Sequence, residues 1–337
     1  MTKGDLMREQ YERMNWDLID DGEIHGFSHH NVWRWLTAVA LEWVLIAGLF
    51  TVCLAYPRWW VWVMGALLIG TRQHALAVLA HEGAHHLVVR SHFWNDVLTN
   101  YFTTYWLTFT VQGYRTTHLK HHWYLETPDD PSKVSVDHHP EEWTFPMPLK
   151  NFLGMFLRDL TLLSQRAAIS LMKYLWDIPG GRAPHVVRII VLHAAIISAF
   201  VWFGHPWAYV LLWIVPLYTV TVACYRLRSV AEHSGIGPQS ERYSRDVIDN
   251  LRTTRTTTGS GLSQFPLIPY NVSYHIEHHM FPSIPTFRLR DVHGKLERNP
   301  VYAANAHITR GHRELFRELT GAAPPHETRL GLTERPA

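Results

Sequence analysis

The stretch that decides the fold runs from residue 35 to residue 86 and reads WLTAVALEWVLIAGLFTVCLAYPRWWVWVMGALLIGTRQHALAVLAHEGAHH. It contains two apolar runs, 35–56 and 59–80, separated by the turn residues Pro57 and Arg58. Each run has about 22 residues, and a helix needs about 20 apolar residues to cross a hydrocarbon core. The pattern predicts a helical hairpin across a membrane, with the histidine-rich HEGAHH directly after its second helix.

A second apolar hairpin supports this interpretation. It comprises the runs 186–202 and 207–225, joined by the turn FGHP. One such hairpin would also fit the core of a large soluble protein, but two favour a membrane. Tryptophans at the run ends are typical of an interfacial belt, and they are Trp35, Trp59, Trp60, Trp202 and Trp207. We therefore expect an all-α integral membrane protein with about four transmembrane helices, interfacial helices and a cytosolic cap that carries the histidines.

Composition narrows the chemistry. The net charge is only +2 over 337 residues, and nucleic-acid binding needs a strongly basic surface, so no nucleic-acid partner is expected. The two cysteines, Cys53 and Cys224, lie inside apolar runs. They are too few for an iron–sulfur cluster or a cysteine zinc site, and we expect them to pack as small apolar side chains.

Two charged residues, Glu42 and Arg72, lie inside the first hairpin. A charge at the centre of a spanning helix costs roughly 2.5–3.5 kcal/mol, and such residues usually face a bundle interior. An ion pair between Glu42 and Arg72 is one interpretation. Snorkelling of Arg72 towards the interface is the other.

The histidines form three clusters, which we call the histidine boxes. Box one is HEGAHH, box two is HLKHH and box three is HIEHH, and the single motif EH follows the fourth apolar run. Their histidines are, in chain order, His81, His85 and His86; His118, His121 and His122; His233; and His275, His278 and His279. On a helix, residues three and four apart share a face, whereas the i+3 and i+4 residues diverge by about 100°. Each box can therefore reach two metal ions, and imidazole is a good ligand for iron, zinc, copper and nickel.

Helical geometry ranks the candidates within the boxes. His81 and His85 are about 40° apart around a helix and are the predicted ligands of box one. His86 is displaced by a further 100° or so, and is either an alternative ligand or a neighbour of one. Asn271 lies four residues before His275. It either shares the helix face of box three and contacts a metal or a metal-bound water, or caps that helix.

Box one also fits the H-E-x-x-H helix of zinc proteases, in which the glutamate, here Glu82, is the general base. That alternative needs one zinc ion and a carboxylate ligand on a later helix, and it gives boxes two and three no role. A metal transporter is a further alternative. Transporters place ligands near the bilayer midplane, whereas these boxes follow the ends of the apolar runs. We rank both below a binuclear histidine site.

The three boxes can meet only if they lie on one side of the membrane. A single crossing by residues 97–114 would separate box two from the others, so this stretch is expected to dip in and return or to lie in the interface. Residues 151–176 have an amphipathic pattern and are expected on the membrane surface, unless they pack on a soluble core. The positive-inside rule places the box side in the cytoplasm, given the cationic residues Arg115, Lys120, Arg226 and Arg228.

Four stretches resemble the membrane fatty acid desaturase and hydroxylase superfamily: HEGAHH, HLKHHWYLETPDDP, RSVAEHSG and NVSYHIEHHMFPSIP, within about residues 70–290. The resemblance implies a four-helix membrane protein with a cytosolic cap. It also implies that histidines hold two iron ions and that O2 and two electrons are used to attack unactivated C–H bonds of lipid chains. Carried over by position, the implied ligands are His81, His85, His118, His121, His122, His233, His275, His278 and His279.

Within this superfamily we expect desaturation of a fatty acyl or other lipid chain. Lipid hydroxylases, carotenoid ketolases or hydroxylases and oxidative fatty acid decarboxylases share the boxes and stay open as alternatives. The chain lacks an HPGG haem motif, and the 34 residues before the first run are too few for a fused cytochrome domain. A separate ferredoxin, rubredoxin or cytochrome is the expected electron donor. Asp129 and Asp130 either orient ligand histidines by hydrogen bonds or cap a loop.

The expected organisation has three parts. Residues 1–34 form a cytosolic N-terminal segment, and residues 35–290 form the membrane-embedded di-iron domain. Residues 291–337 form a cytosolic helix followed by a disordered tail.

Overall fold

The computed structural model describes residues 18–125, 127–132, 140–161, 176, 178, 181–234, 251, 253–259 and 267–322. Of the predicted surface helix over 151–176, only residues 151–161 and residue 176 are therefore described. Most of the predicted disordered tail and the first half of the predicted N-terminal segment lie outside the described residues.

Helices dominate the described part of the chain. The α-helices are, in order, α1 (Asp21–Phe27), α2 (Val32–Ala55), α3 (Trp59–Ala84), α4 (His92–Phe102), α5 (Val111–Tyr124), α6 (Pro140–Trp143), α7 (Leu149–Asp159), α8 (Ala183–Trp202), α9 (Pro206–Tyr209), α10 (Val215–Tyr218), α11 (Val220–His233), α12 (His275–Met280), α13 (Thr286–Leu296), α14 (Pro300–Asn305) and α15 (Gly311–Leu319). The two strands are β1 (Arg255–Thr258) and β2 (His307–Arg310), which pair in parallel with Arg255 opposite His307.

The chain divides into two compact units. The apolar unit comprises His30–Leu119 and Phe156–Leu227, and the terminal unit comprises Met1–His29, Lys120–Met155 and Arg228–Ala337. Each unit has a hydrophobic core of its own. The largest buried side chains of the apolar unit include Trp213 and Tyr209, whereas Phe281 and Tyr302 are central to the terminal unit.

Among the described residues, four helices are long and apolar enough to cross a membrane: α2, α3, α8 and the composite helix Pro206–His233. The prediction of an all-α membrane protein with about four spanning helices is confirmed. Helix α3 continues past the end of the apolar run at residue 80 to Ala84, with His85 as its C-cap, so His81 lies in its last turn and His86 follows the helix.

The composite helix is not a uniform α-helix. Its middle, Val210–Ile214, is a π-helical turn, and π-turns leave backbone groups that need partners from elsewhere. The amide of Gln73 on α3 donates to the carbonyl of Trp213 at 2.8 Å. Gly70 allows the close approach of these helices, because a Cβ there would lie 2.4 Å from the Cβ of Val220.

Two buried charges of the apolar unit form an ion pair. Nη1 of Arg72 lies 3.4 Å from Oε2 of Glu42, and both side chains are buried. Of the two interpretations of these residues, the ion pair is confirmed and snorkelling of Arg72 is wrong. Both cysteines are buried and free, as expected.

One of the five tryptophans assigned to an interfacial belt departs from the prediction. Trp35 is buried, and its indole N–H donates to the carbonyl of Leu79 at 2.9 Å, which ties α2 to α3. The other four are 57–86% exposed, as belt residues should be. The assignment failed for Trp35 because position along a helix does not reveal which face meets a neighbouring helix.

The segment between boxes one and two does not form a spanning helix. Within the predicted stretch 97–114, α4 ends at Phe102, a 3₁₀ turn covers Thr104–Leu107, and α5 begins at Val111. Thr108 has φ 64°, in the left-handed region, so the backbone turns away from a helical path between these elements. The prediction that this stretch is not one continuous crossing is confirmed.

Candidate metal centre

Three histidines of the apolar unit come together from two helices. His81 and His85 lie one turn apart at the end of α3, and His118 lies on α5. Their ring centroids are 4.5–4.9 Å apart, and one nitrogen of each lies within 4.8 Å of the others. All three side chains are buried. We call this group the three-histidine cluster.

The end of α3 is held by neighbours on α4 and α5. Gly83 lies between the two box-one ligands, and a Cβ there would meet Oγ1 of Thr99 at 2.2 Å, so glycine allows α4 to pack against α3. Arg115 donates to the Gly83 carbonyl at 2.8 Å and pairs with Asp96 at 2.5 Å. Since Arg115 lies one turn before His118 on α5, this contact relates the position of His118 to those of His81 and His85 within the apolar unit.

Four histidines of the terminal unit form a second group, the four-histidine cluster. They are His121 of α5, His233 at the end of α11, and His275 and His279 of α12. The Nε2 atoms of His121 and His233 are 3.2 Å apart. Those of His233 and His275 are 2.9 Å apart, and those of His275 and His279 are 3.1 Å apart.

These contacts fit a cation better than a hydrogen-bond chain. A neutral imidazole nitrogen carries either one proton or one lone pair, yet the Nε2 atoms of His233 and His275 each face two other Nε2 atoms. Burial, reinforced by the neighbouring histidines, holds the pKa values of His275 and His279 well below their ordinary value. The rings are therefore neutral at physiological pH, which is the form that binds a metal.

A histidine pair lies beside this cluster in the terminal unit. Nε2 of His278 is 2.9 Å from Nε2 of His122, and burial together with the nearby guanidinium of Arg228 lowers the pKa of His278 to about 3. His278 thus diverges from His279, as the i+3 and i+4 spacing of box three predicts. His122 likewise contacts His278 while its neighbour His121 faces the four-histidine cluster.

Asp130 is hydrogen-bonded to a candidate ligand. Nδ1 of His121 donates to Oδ1 of Asp130 at 3.0 Å, which leaves Nε2 with the lone pair that faces the cluster. Ser132 also donates to this carboxylate. Burial by itself would raise the pKa of Asp130, but His121 and Ser132 hold it below the ordinary value. Asp129, the other acidic candidate, is exposed.

Comparison of the sequence with models of known protein families identifies its family. The family model described as fatty acid desaturase matches residues 57–311, most of the chain.

The chain belongs to the fatty acid desaturase family.

Curated desaturases are similar over much of their length. Dihydrorhizobitoxine desaturase of Bradyrhizobium elkanii is 28% identical, and the match covers 79% of this chain and 76% of the relative. The chloroplastic omega-3 fatty acid desaturase of Glycine max is 24% identical over 81% of this chain and 64% of the relative. The Delta(5) fatty acid desaturase fat-4 of Caenorhabditis elegans is 21% identical over 74% of this chain and 60% of the relative. The chain thus spans less than two thirds of the last two relatives.

One candidate residue of this desaturase-family chain, His86, lies apart from the clusters, and the local structure at a second, Asn271, differs from the prediction. His86 follows α3 with φ 58°. Its ring stacks on His92 with the centroids 3.9 Å apart, and it is in neither cluster. Asn271 also has a positive φ, 60°, and α12 begins only at His275 with Tyr274 as its N-cap. The premise that Asn271 shares a helix face with box three is therefore wrong, and so is its assignment as the cap.

Three charged residues beside the clusters were not singled out from the sequence. Glu232 is buried, bonded to Arg228 at 3.1 Å, and lies 3.5 Å from Nε2 of His275. Arg255 donates to the Ala231 carbonyl at 2.9 Å, near the end of the helix that carries His233. Glu277 lies inside box three itself. Only Glu232 and Glu277 had a sequence signal, namely their position next to candidate ligands.

The protease alternative has no support at box one. The third side chain that joins His81 and His85 in the apolar unit is a histidine, His118, whereas the zinc-protease interpretation needed a carboxylate. The family match covers boxes one, two and three together.

Proposed function

We propose that this chain is an O2-dependent desaturase that introduces a double bond into a fatty acyl or other lipid chain at a two-iron centre. Family membership implies desaturase-like oxidation and a lipid substrate. The observation that carries the finer proposal is the four-histidine cluster, whose buried, neutral nitrogens face one another.

The proposed ligands are the nine histidines identified from the sequence. The four-histidine cluster is the site of one ion, and the three-histidine cluster supplies ligands to the other. His122 and His278 complete the set of nine. Imidazole nitrogen suits iron, and the hydrogen bond from His121 to Asp130 is the kind that fixes a ligand's tautomer and ring orientation.

When bound, the irons supply the reductive activation of O2. The overall reaction converts –CH2–CH2– to –CH=CH–, with O2, two electrons and two protons giving two waters. The two electrons come from a separate ferredoxin, rubredoxin or cytochrome. The protein's own contribution is to hold the ligands in place and to position one C–C bond of the substrate. We place the clusters on the cytoplasmic side of a multi-pass membrane protein, where such donors are found.

The test is an untargeted analysis of lipids and other amphiphiles from cells that express the chain with a reductase and an electron donor. Broad analysis is needed because one relative is named for dihydrorhizobitoxine and two for fatty acids. New unsaturated products are expected, accompanied by about two irons per purified chain. The variant His118→Ala should lose the products, whereas His86→Ala should keep them.

Other products would indicate a different reaction of the same superfamily. Alcohols without new double bonds would show a hydroxylase, and terminal alkenes one carbon shorter would show a decarboxylase. An unchanged profile with a confirmed donor, together with about one zinc and no iron, would overturn the di-iron proposal.

A further inference from the structure

The glutamate within box three, Glu277, is buried and faces away from the four-histidine cluster. Residues two apart on a helix lie about 200° apart around its axis. Glu277 therefore points to the side opposite His275 and His279. Its side chain is completely buried, which is costly for a carboxylate unless hydrogen bonds satisfy it.

Three donors from three different elements satisfy this carboxylate. Thr256 of β1 donates from Oγ1 to Oε2 of Glu277 at 2.6 Å. His293 of α13 donates from Nδ1 to Oε1 at 2.6 Å, and the hydroxyl of Tyr302 on α14 donates to the same oxygen. The hydroxyl of Thr256 also accepts from the backbone N–H of Ile276 at 3.2 Å, next to Glu277.

Helix α12 needs such an anchor. It has six residues, and its N-cap Tyr274 makes no side-chain capping bond. A helix this short is not stable on its own, and its position depends on tertiary contacts. Yet it must present His275 and His279 to one side and His278 to another, so a small rotation would misdirect all three rings.

We infer that Glu277 is a positioning residue, a buried anchor that sets the rotation of α12 and thereby the direction of the three box-three histidines. The inference rests on the proposed function, in that box three holds iron. It assigns Thr256, His293 and Tyr302 to the same anchor. Their hydrogen bonds reach Glu277 rather than a histidine ring of box three.

The test uses the full chain purified in detergent, loaded with iron or with Co²⁺. Glu277→Gln keeps the shape but has a single acceptor oxygen, so it cannot accept from both sides as the carboxylate does. Thr256→Val removes one donor with little change of shape, and Thr256→Ser restores it. Glu297→Gln is the matched control. Glu297 lies near Nε2 of His293, the nitrogen that does not face Glu277, and its side chain is 55% exposed.

Chelator competition and the Co²⁺ absorption spectrum are the readouts. Glu277→Gln is expected to release metal at a chelator concentration about 10–100-fold lower than the wild type, the range measured for groups that orient metal ligands. Thr256→Val should show a smaller change in the same direction with an altered Co²⁺ spectrum, and Thr256→Ser and Glu297→Gln should match the wild type. If Glu277→Gln does not fold, the chelator midpoint and the Co²⁺ spectrum of Thr256→Val decide whether the inference holds.

Two results separate the possible failures. Variants that melt earlier but keep the wild-type Co²⁺ spectrum and chelator midpoint would overturn the inference, because a merely structural residue lowers stability without redirecting ligands. A wild-type protein that binds no iron would instead overturn the proposed function.

Discussion

Arg115 donates a hydrogen bond from Nε to the backbone carbonyl of Ala84, 2.9 Å away. The donor belongs to the helix of box two and the acceptor is the last residue of the helix of box one. Helix-end carbonyls lack intrahelical partners and carry a partial negative charge, so a cation from the next histidine helix both satisfies and locates the end of α3.

Loss of this arginine should destabilise the end of α3, which carries box one. Arg115→Gln removes the charge and most of the bonds to Gly83, Ala84 and Asp96, and hydrogen bonds to charged groups contribute about 1.5–3 kcal/mol. We expect the free energy of unfolding in detergent to fall by about 2 kcal/mol and the iron content to drop. Arg90→Gln is the control, because Arg90 is an exposed arginine that follows α3, the helix of box one. Equal denaturation midpoints for the two variants would contradict the role of Arg115.

The hydrogen bond from His121 to Asp130 predicts a loss of metal affinity in Asp130→Asn. An asparagine presents one acceptor oxygen and an NH2 group that repels the N–H of His121, so the ring loses its orientation. Affinity for iron should fall about 10–100-fold by chelator titration. The neighbouring Asp129→Asn changes the same charge at an exposed position and should bind iron normally.

The adjacent histidines of box one should differ in their effect on metal content. His85 belongs to the three-histidine cluster, whereas His86 stacks on His92 outside it. His85→Ala is expected to lose about one of two irons per chain, and His86→Ala to retain both. Elemental analysis of the purified variants distinguishes the cases, and loss of iron from His86→Ala alone would reverse the assignment.

Glu318 predicts a pH dependence of stability in the terminal unit. Burial by itself would raise its pKa, but His307 and Arg255 lower it from 4.5 to about 2. Because the folded value lies below the unfolded one, this group contributes stability above pH 4.5 that is lost as the pH falls towards 2. The difference corresponds to about 3 kcal/mol.

Acid denaturation of the wild type and Glu318→Gln tests this prediction. The variant should be less stable at pH 7, because it leaves Arg255 buried without its carboxylate. The difference between the two proteins should shrink between pH 4.5 and pH 2. A difference that stays constant over this range would exclude the titration of Glu318 as its cause.

Local regularities explain what could be predicted. The length of an apolar run and the spacing of histidines on a helix depend on residues close in the chain, so the four long helices and the divergence of His278 from His279 followed from the sequence. The same reasoning failed at Asn271. It assumed that the helix of box three extends back to residue 271, whereas the positive φ angles of Tyr270 and Asn271 leave only six residues for α12.

Contacts between distant residues explain what could not be predicted. Glu277 is visible inside HIEHH, but its donors Thr256, His293 and Tyr302 lie 16 to 25 residues away along the chain. Arg255 and Arg115 likewise give no periodic signal, because each donates to the backbone of a helix that is separate from its own element.

The sequence by itself determined that this protein has four apolar helices and three histidine boxes, because run length and helical spacing are properties of neighbouring residues. Only the tertiary structure decided which histidines share a cluster, that Glu42 pairs with Arg72, that His86 stands apart from the clusters, and that the helix of box three begins only after Asn271. Those outcomes depend on how helix ends, turns and buried charges from separate parts of the chain satisfy one another, and no local pattern encodes that.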